Sequence, residues 1–106
     1  MKLVIIESPY AGDVEMNVEY ARECLKHSLM LGEAPIASHL LYTQPGVLDD
    51  SVPEQRAMGI NAGLAWRRVA DKAVFYNDFG YSKGMIAALD LYESEGFEIE
   101  ERSIYA

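Results

Sequence analysis

The stretch Ala73–Leu91, AVFYNDFGYSKGMIAALDL, reads as a strand, a tight loop and a helix in immediate succession. Ala73–Val74–Phe75–Tyr76 is an apolar run of strand length, and Gly80 and Gly84 bracket the connection. Met85, Ala88, Leu89 and Tyr92 then recur at helical spacing. A helix opening at Ser82–Gly84 aims unpaired backbone N–H groups at the space above the strand end, where an anion or sugar oxygen could sit. In open α/β sheets that edge is where ligands bind.

The same alternation extends outward on both sides. Upstream, Lys2–Glu7 (KLVIIE) is a continuous apolar run, the mark of a strand buried on both faces of a parallel sheet. Ser8–Pro9–Tyr10–Ala11–Gly12 forms a loop, and Asp13 is placed to cap a long helix. That helix carries Val14, Val18, Ala21, Leu25 and Leu29 as its expected apolar stripe and ends at Gly32. Ala34–Ala37 is a second, short strand, and Ser38–Val52 is rich in turn chemistry. Ser51 with Glu54 has the capping-box pattern, Pro53 suits a first helical turn, and the helix runs to about Val69. Its Gly59 and Gly63 each cost roughly 1 kcal/mol relative to alanine, which points to a close backbone approach. Downstream, Gly96 stops the last helix, and Phe97–Glu101 begins an edge strand diluted by Glu98, Glu100 and Glu101. The order β-α-β-α-β-α-β predicts right-handed crossovers and one small Rossmann-like, three-layer α/β domain over 1–106. Its four parallel strands, near 2–7, 34–37, 73–77 and 97–101, are expected in the order 2-1-3-4.

Composition narrows the partners. The 106 residues are half hydrophobic, which argues against disorder, and nine basic against seventeen acidic side chains give a net charge of −8. Such a surface disfavours DNA or RNA polymers but leaves room for a small anion held by a helix terminus. No apolar run approaches membrane-spanning length, and the chain enters its first strand without a signal-peptide pattern. The lone Cys24 excludes an internal disulfide and, placed near the apolar stripe, is expected in the core of a cytoplasmic protein.

Several groups could carry chemistry. Gly80–Tyr81–Ser82–Lys83–Gly84 matches the G-x-S-x-G nucleophile elbow between a strand and a helix, but no histidine follows Ser82 to complete a triad. An anion- or sugar-binding turn is the better reading. Glu7, Asp13 and Asp78 fall at expected strand ends, where a carboxylate could hold ribose hydroxyls or act on a glycosidic bond. For Asp13 the helix cap is the simpler role. His39 could reach the same cleft or serve as a loop residue, whereas His27 is expected on the solvated side of its helix. Tyr10, Tyr42, Phe79 and Tyr81 could offer stacking faces to a planar ligand, and Trp66 is expected in the core or at a subunit contact. His39, Asp49, Asp50 and Glu54 share no metal-ligand spacing, so neither metal nor cofactor is expected.

Glu7–Ser8–Pro9–Tyr10–Ala11–Gly12–Asp13, Asn17, Ala34–His39 (APIASH) and Asp78–Met85 (DFGYSKGM) together resemble a family of small phage and bacterial proteins of unknown function. These are similar to nucleoside 2-deoxyribosyltransferases. The resemblance to the small family covers nearly the whole chain, and that to the transferases rests on the strand-end loops. It implies a compact parallel sheet binding a nucleoside or nucleotide at the strand C-termini, in a homo-oligomer whose neighbours help complete the site. For a phage-encoded member the compartment would be the host cytoplasm. The binding set it implies is Ser8, Tyr10, Gly12, Asp13, His39, Asp78, Phe79, Gly80, Ser82, Lys83, Gly84 and Met85. In the transferases a glutamate two residues beyond the glycine of the turn attacks the anomeric carbon. The matching position here is Ile86, which cannot act as nucleophile, acid or base, and Asp90 lies one turn further along. The expected function is therefore a binding protein that recognises or sequesters a nucleotide-derived molecule. The alternative is an N-glycosidic enzyme, a nucleoside deoxyribosyltransferase or nucleotide N-glycosidase, using a relocated carboxylate among Glu7, Asp78 and Asp90 with His39.

Overall fold

A computed structural model describes residues 1–105. Four parallel strands, β1 (Leu3–Glu7), β2 (Ala34–Ile36), β3 (Lys72–Tyr76) and β4 (Ile99–Arg102), form one sheet in the order β2-β1-β3-β4. Ile5 lies opposite Ile36 on one side and Ala73 on the other, and Ala73 in turn faces Ile99. The central pair is thus β1 and β3, whose residues Val4–Ile6 and Ala73–Tyr76 are buried. Their continuous apolar runs are explained by helices on both faces.

One face is covered by α1 (Val14–Met30), which packs Tyr20, Ala21 and Cys24 against Val4, Ile6, Val74 and Tyr76. The other face carries α3 (Pro53–Ala65) and α4 (Lys83–Ser94), with Met85, Ala88 and Tyr92 against Ile5, Ala73 and Phe75. Among the described residues no helix is long and apolar enough to cross a membrane.

The sequence pattern misplaces several features. The first helix turns Asn17, Tyr20, Ala21, Cys24 and Ser28 inward and leaves Val14 and Leu29 exposed. The buried polar groups have partners: Ser28 Oγ donates to Glu33 Oε1 at 2.7 Å, and Tyr20 donates to Asp78. A partnered polar group costs little to bury, so tertiary contacts shift the helix by one position from its apolar stripe. His27 is half-buried rather than solvated, with Nδ1 2.9 Å from the Tyr76 hydroxyl.

Ser38–Leu41 forms a short helix, α2, inside the expected loop. The Ser51–Glu54 capping box does not form. Val52 occupies the N-cap, while Ser51 Oγ donates to Asp49 Oδ1 at 2.6 Å. The expected helix to Val69 changes after Ala65 into a 3-10 turn over Trp66–Arg68. β4 starts at Ile99, because Phe97 is still tied to the end of α4 by its N–H to the Tyr92 carbonyl at 2.9 Å.

Candidate functional site

The site begins at the carboxyl end of β1. Side chains alternate along a strand, so Glu7 follows Ile5 toward α4 while Ser8 falls on the α1 side. Tyr92 of α4 donates its hydroxyl to Glu7 Oε2 at 2.8 Å. Enclosure raises the Glu7 carboxyl to about 7, against the opposing pull of that hydrogen bond. At neutral pH the group is therefore poised between acid and carboxylate. Ser8 is buried, and its Oγ lies 2.7 Å from His39 Nε2. Burial pushes the His39 imidazole down to about 4, so it is neutral at pH 7.

The loop from β1 to α1 is held by Asn17, whose buried side chain donates to the carbonyls of Tyr10 at 2.9 Å and Ala11 at 3.1 Å. Gly12 has φ of +101°, a left-handed conformation that favours glycine. Asp13 Oδ1 then accepts from the Met16 N–H at 3.2 Å as the N-cap of α1. The loop after β2 enters α2 directly, which brings His39 and Tyr42 over the strand ends. Trp66 Nε1, on the far side, donates to the Tyr42 hydroxyl at 2.8 Å and fixes that ring.

At α4, Ser82 is the N-cap and accepts from the Met85 N–H at 3.2 Å, while the Ser82 N–H meets Met85 Sδ at 3.5 Å. Lys83 and Gly84 border the same space, and their N–H groups belong to the first turn, which has no intrahelical acceptors.

These walls enclose a cavity of about 470 Å³ beyond the carboxyl end of β1, between α2, α3 and the start of α4. The β1–α1 loop contributes Glu7, Ser8, Tyr10, Ala11 and Gly12, and α2 contributes Ser38, His39 and Tyr42. From α3 come Gln55, Arg56, Gly59, Ile60 and Leu64, and from α4 come Ser82–Met85, Ala87 and Ala88. Arg56 is paired with Asp50 at 2.9 Å on the rim. A more open depression of about 810 Å³ adjoins the cavity beneath residues 43–51 and shares Tyr10, Gly12 and Arg56 with it. The volume suits a molecule of nucleoside size, with an apolar interior and a few convergent polar groups.

Of the residues expected at the site, Glu7, Ser8, Tyr10, Gly12, His39, Ser82, Lys83, Gly84 and Met85 border this cavity. Asp13, Asp78, Phe79, Gly80 and Asp90 do not. Asp13 is occupied as a helix cap. Asp78 instead anchors the end of the chain, accepting hydrogen bonds from Tyr20 and Ser103 and from the N–H groups of Ile104 at 3.1 Å and Tyr105 at 2.9 Å. Burial opposes ionisation of Asp78, yet these donors together hold its carboxyl well below the usual range. Phe79 packs edge-on against Tyr20, and Gly80 (φ +77°) turns the chain away. Tyr81 stacks on Phe75 and hydrogen-bonds Glu101. The four aromatic residues expected on one rim are thus divided, with Tyr10 and Tyr42 on the cavity and Phe79 and Tyr81 elsewhere. Asp90 is exposed. Ile86 is half exposed and also lies off the cavity, where α4 instead presents Ala87 and Ala88.

Sequence reasoning did not place Gln55, Arg56, Leu64, Ala87, Ala88 or Tyr92 at the site. The Gly59/Gly63 spacing was the one signal that α3 approaches closely: a Cβ on Gly63 would lie 2.2 Å from Ser38 Oγ. Among the described residues there is no group of three or more His, Cys, Asp or Glu side chains arranged to hold a metal ion.

Comparison with known proteins agrees with the fold. A solved 2-deoxyribosyltransferase from Bacillus psychrosaccharolyticus superposes with a TM-score of 0.63 at 16% identity, covering 95% of this chain and 72% of that one. No curated protein matches in sequence. Residues 2–102 match the family described as Domain of unknown function (DUF7768), and the chain belongs to that family.

Proposed function

We propose that the chain binds a nucleoside or nucleotide-like small molecule in the cavity at the carboxyl end of β1. One observation carries this reading: aromatic faces (Tyr10, Tyr42), the amino end of α4 and a polar trio (Glu7, Ser8, His39) converge on a single cavity. Each matches one part of such a ligand. A base stacks on the tyrosines, sugar or phosphate oxygens meet Ser82, Lys83 and the free N–H groups, and Glu7 or His39 meets hydroxyls or ring nitrogens. Likeness to a 2-deoxyribosyltransferase supports the same ligand class.

The α4 face toward the cavity carries Ala87 and Ala88, with Ile86 and Asp90 turned elsewhere, so the helix supplies no carboxylate nucleophile. Recognition without chemistry is the primary reading. The second reading, an N-glycosidic enzyme with a relocated carboxylate, is favoured by Glu7, which borders the cavity and whose carboxyl enclosure raises to about 7.

The net charge of −8 supports a small ligand over a nucleic-acid polymer, and a buried free Cys24 fits a reducing cytoplasm. Self-association is part of the proposal. Helix α3 buries only Gly63 and leaves Met58 and the adjoining Trp66 exposed, a surface suited to a second copy. Light scattering at tens of micromolar is expected to show a dimer or larger.

The binding test is a thermal-shift screen of nucleosides, nucleotides, cyclic dinucleotides and ADP-ribose derivatives, followed by calorimetry. Tyr10→Ala is expected to cost about 1–3 kcal/mol of affinity for the best ligand through lost stacking. Ser82→Ala costs about 0.5–1.5 kcal/mol through one neutral hydrogen bond. Unchanged affinity in both folded variants refutes the site.

A further inference from the structure

We propose that Glu7 recognises the ligand as a neutral carboxylic acid, its Oε1 hydroxyl donating to an acceptor oxygen or nitrogen of the ligand, so that filling the cavity takes up a proton. The inference rests on the binding reading above and adds to it the residue that selects for an acceptor and a linkage between binding and pH.

The two oxygens of the Glu7 carboxyl group are placed differently. Oε2 accepts from the Tyr92 hydroxyl at 2.8 Å, and Oε1 has no hydrogen-bond partner among the described residues. Yet no fully enclosed side-chain oxygen or nitrogen among those residues lacks a partner. Oε1 is therefore not sealed in the core but opens onto free space, and the space that Glu7 borders is the cavity.

No cation offsets the cost of ionising this group. Of the basic side chains bordering the cavity, Arg56 is held by Asp50 at 2.9 Å, and Lys83 stands at the first turn of α4, about two and a half turns before Tyr92. Arg67 acts on the Tyr92 hydroxyl but is paired with Glu95 at 2.8 Å. His39, on α2, is neutral at pH 7. Tyr10 and Tyr42 complete the titratable groups around the cavity, and Phe75, opposite Glu7 on β3, brings no charge. An unpaired carboxylate in such surroundings is costly, and protonation relieves the cost.

Enclosure already holds the carboxyl at about 7 in the free protein, against the pull of the Tyr92 hydrogen bond. A ligand in the cavity excludes solvent from Oε1 and so deepens the penalty on the charged form. In the neutral acid Oε2 goes on accepting from Tyr92, and the proton sits on Oε1, where the ligand receives it. A ligand that presented an N–H at this point would instead pair with the carboxylate, and its binding would strengthen as the pH rises. The two modes thus differ in the sign of their pH dependence.

The test is calorimetry with adenosine, guanosine, cytidine, uridine, ADP-ribose and a cyclic dinucleotide, none of which titrates near neutral pH. For the probes that bind, affinity is expected to be level below about 7 and to fall above it by up to about tenfold per pH unit. Paired buffers of different ionisation enthalpy should show uptake approaching one proton per ligand on the falling limb. Glu7→Gln, neutral at every pH with a donor in the same place, is expected to bind without this pH dependence. Tyr92→Phe removes the hydrogen bond that favours the carboxylate, so the bend in the affinity profile moves to higher pH. This second variant keeps the test decisive if Glu7→Gln does not fold. Affinity that is level or rises with pH, a fall that persists in Glu7→Gln, or a bend unmoved by Tyr92→Phe overturns the role of Glu7 and leaves the binding reading standing. Absence of binding by every probe removes both.

Discussion

Replacement of Gly63 by alanine should destabilise the protein, although alanine is the better helix former. Gly63 is the one buried residue of α3. A Cβ there would stand 2.2 Å from Ser38 Oγ and 2.8 Å from Ser38 Cβ. Rotating the serine side chain relieves the first contact but not the second, because Cβ moves only with the α2 backbone. Overpacking of this kind costs about 1–3 kcal/mol, and a contact that displaces backbone belongs at the upper end. The helix-propensity gain returns about 1 kcal/mol, leaving a net loss of about 2 kcal/mol. In urea, with an m-value near ~1 kcal/mol per molar for a domain of this size, the midpoint should fall by about 2 M at constant slope. Gly59→Ala is the internal control. Its Cβ would meet only Leu48 Cδ1 at 3.2 Å, the end of a flexible side chain, so the variant should be neutral or more stable by up to about 1 kcal/mol. Adding Ser38→Gly to Gly63→Ala should recover part of the loss. A Gly63→Ala midpoint equal to or above that of the wild type would show that α2 and α3 do not meet as described. The contact matters for the site because His39 follows Ser38 directly on α2.

Asp78→Ala strips acceptors from Tyr20, Ser103, Ile104 and Tyr105 and should cost about 2–4 kcal/mol of stability while leaving ligand affinity unchanged, as read by denaturation and calorimetry in parallel. Arg102→Met leaves Glu33 and Glu100 without their main partner in a largely enclosed ion network, and a loss of about 3 kcal/mol is expected in the same denaturation assay. The Glu7 carboxyl is raised from 4.5 to about 7 on folding, so between these values the native state binds more protons than the unfolded one. Its contribution is fully present below about 4.5, is lost as pH rises through about 7, and is absent from Glu7→Gln, whose stability should vary less over that window. Ala87→Leu fills the cavity wall and should abolish ligand binding, whereas Ile86→Leu, off the cavity, should leave calorimetric affinity unchanged.

The sequence alone determined the layered parallel sheet, because that property resides in local pattern. Runs such as LVII and AVFY are apolar without alternation only when both faces are covered, and connections through helices force neighbouring strands to be parallel. The same locality made the Asp13 and Ser82 caps legible, since a cap requires one side chain and the turn beside it. It also brought eight of the expected binding residues, together with the candidate carboxylate Glu7, to one edge, because strand ends in such a sheet share that edge.

Tertiary structure decided which of the strand-end groups are free. Asp78 and Glu7 are alike in sequence, two carboxylates beside apolar strands, yet Asp78 is consumed by the chain end 25 to 27 residues away while Glu7 meets only Tyr92 and the cavity. The rotation of α1 was likewise beyond periodicity, since it depends on partners for Asn17 and Ser28 supplied by a loop and by Glu33. The wall formed by α3 and the cavity face of α4 follow from how those helices lie on the sheet. A one-residue difference in helical phase separates Ile86 outside from Ala87 within. Distant hydrogen bonds and helix rotation are set by the whole packing energy, to which no short stretch of sequence contributes enough to be read by itself.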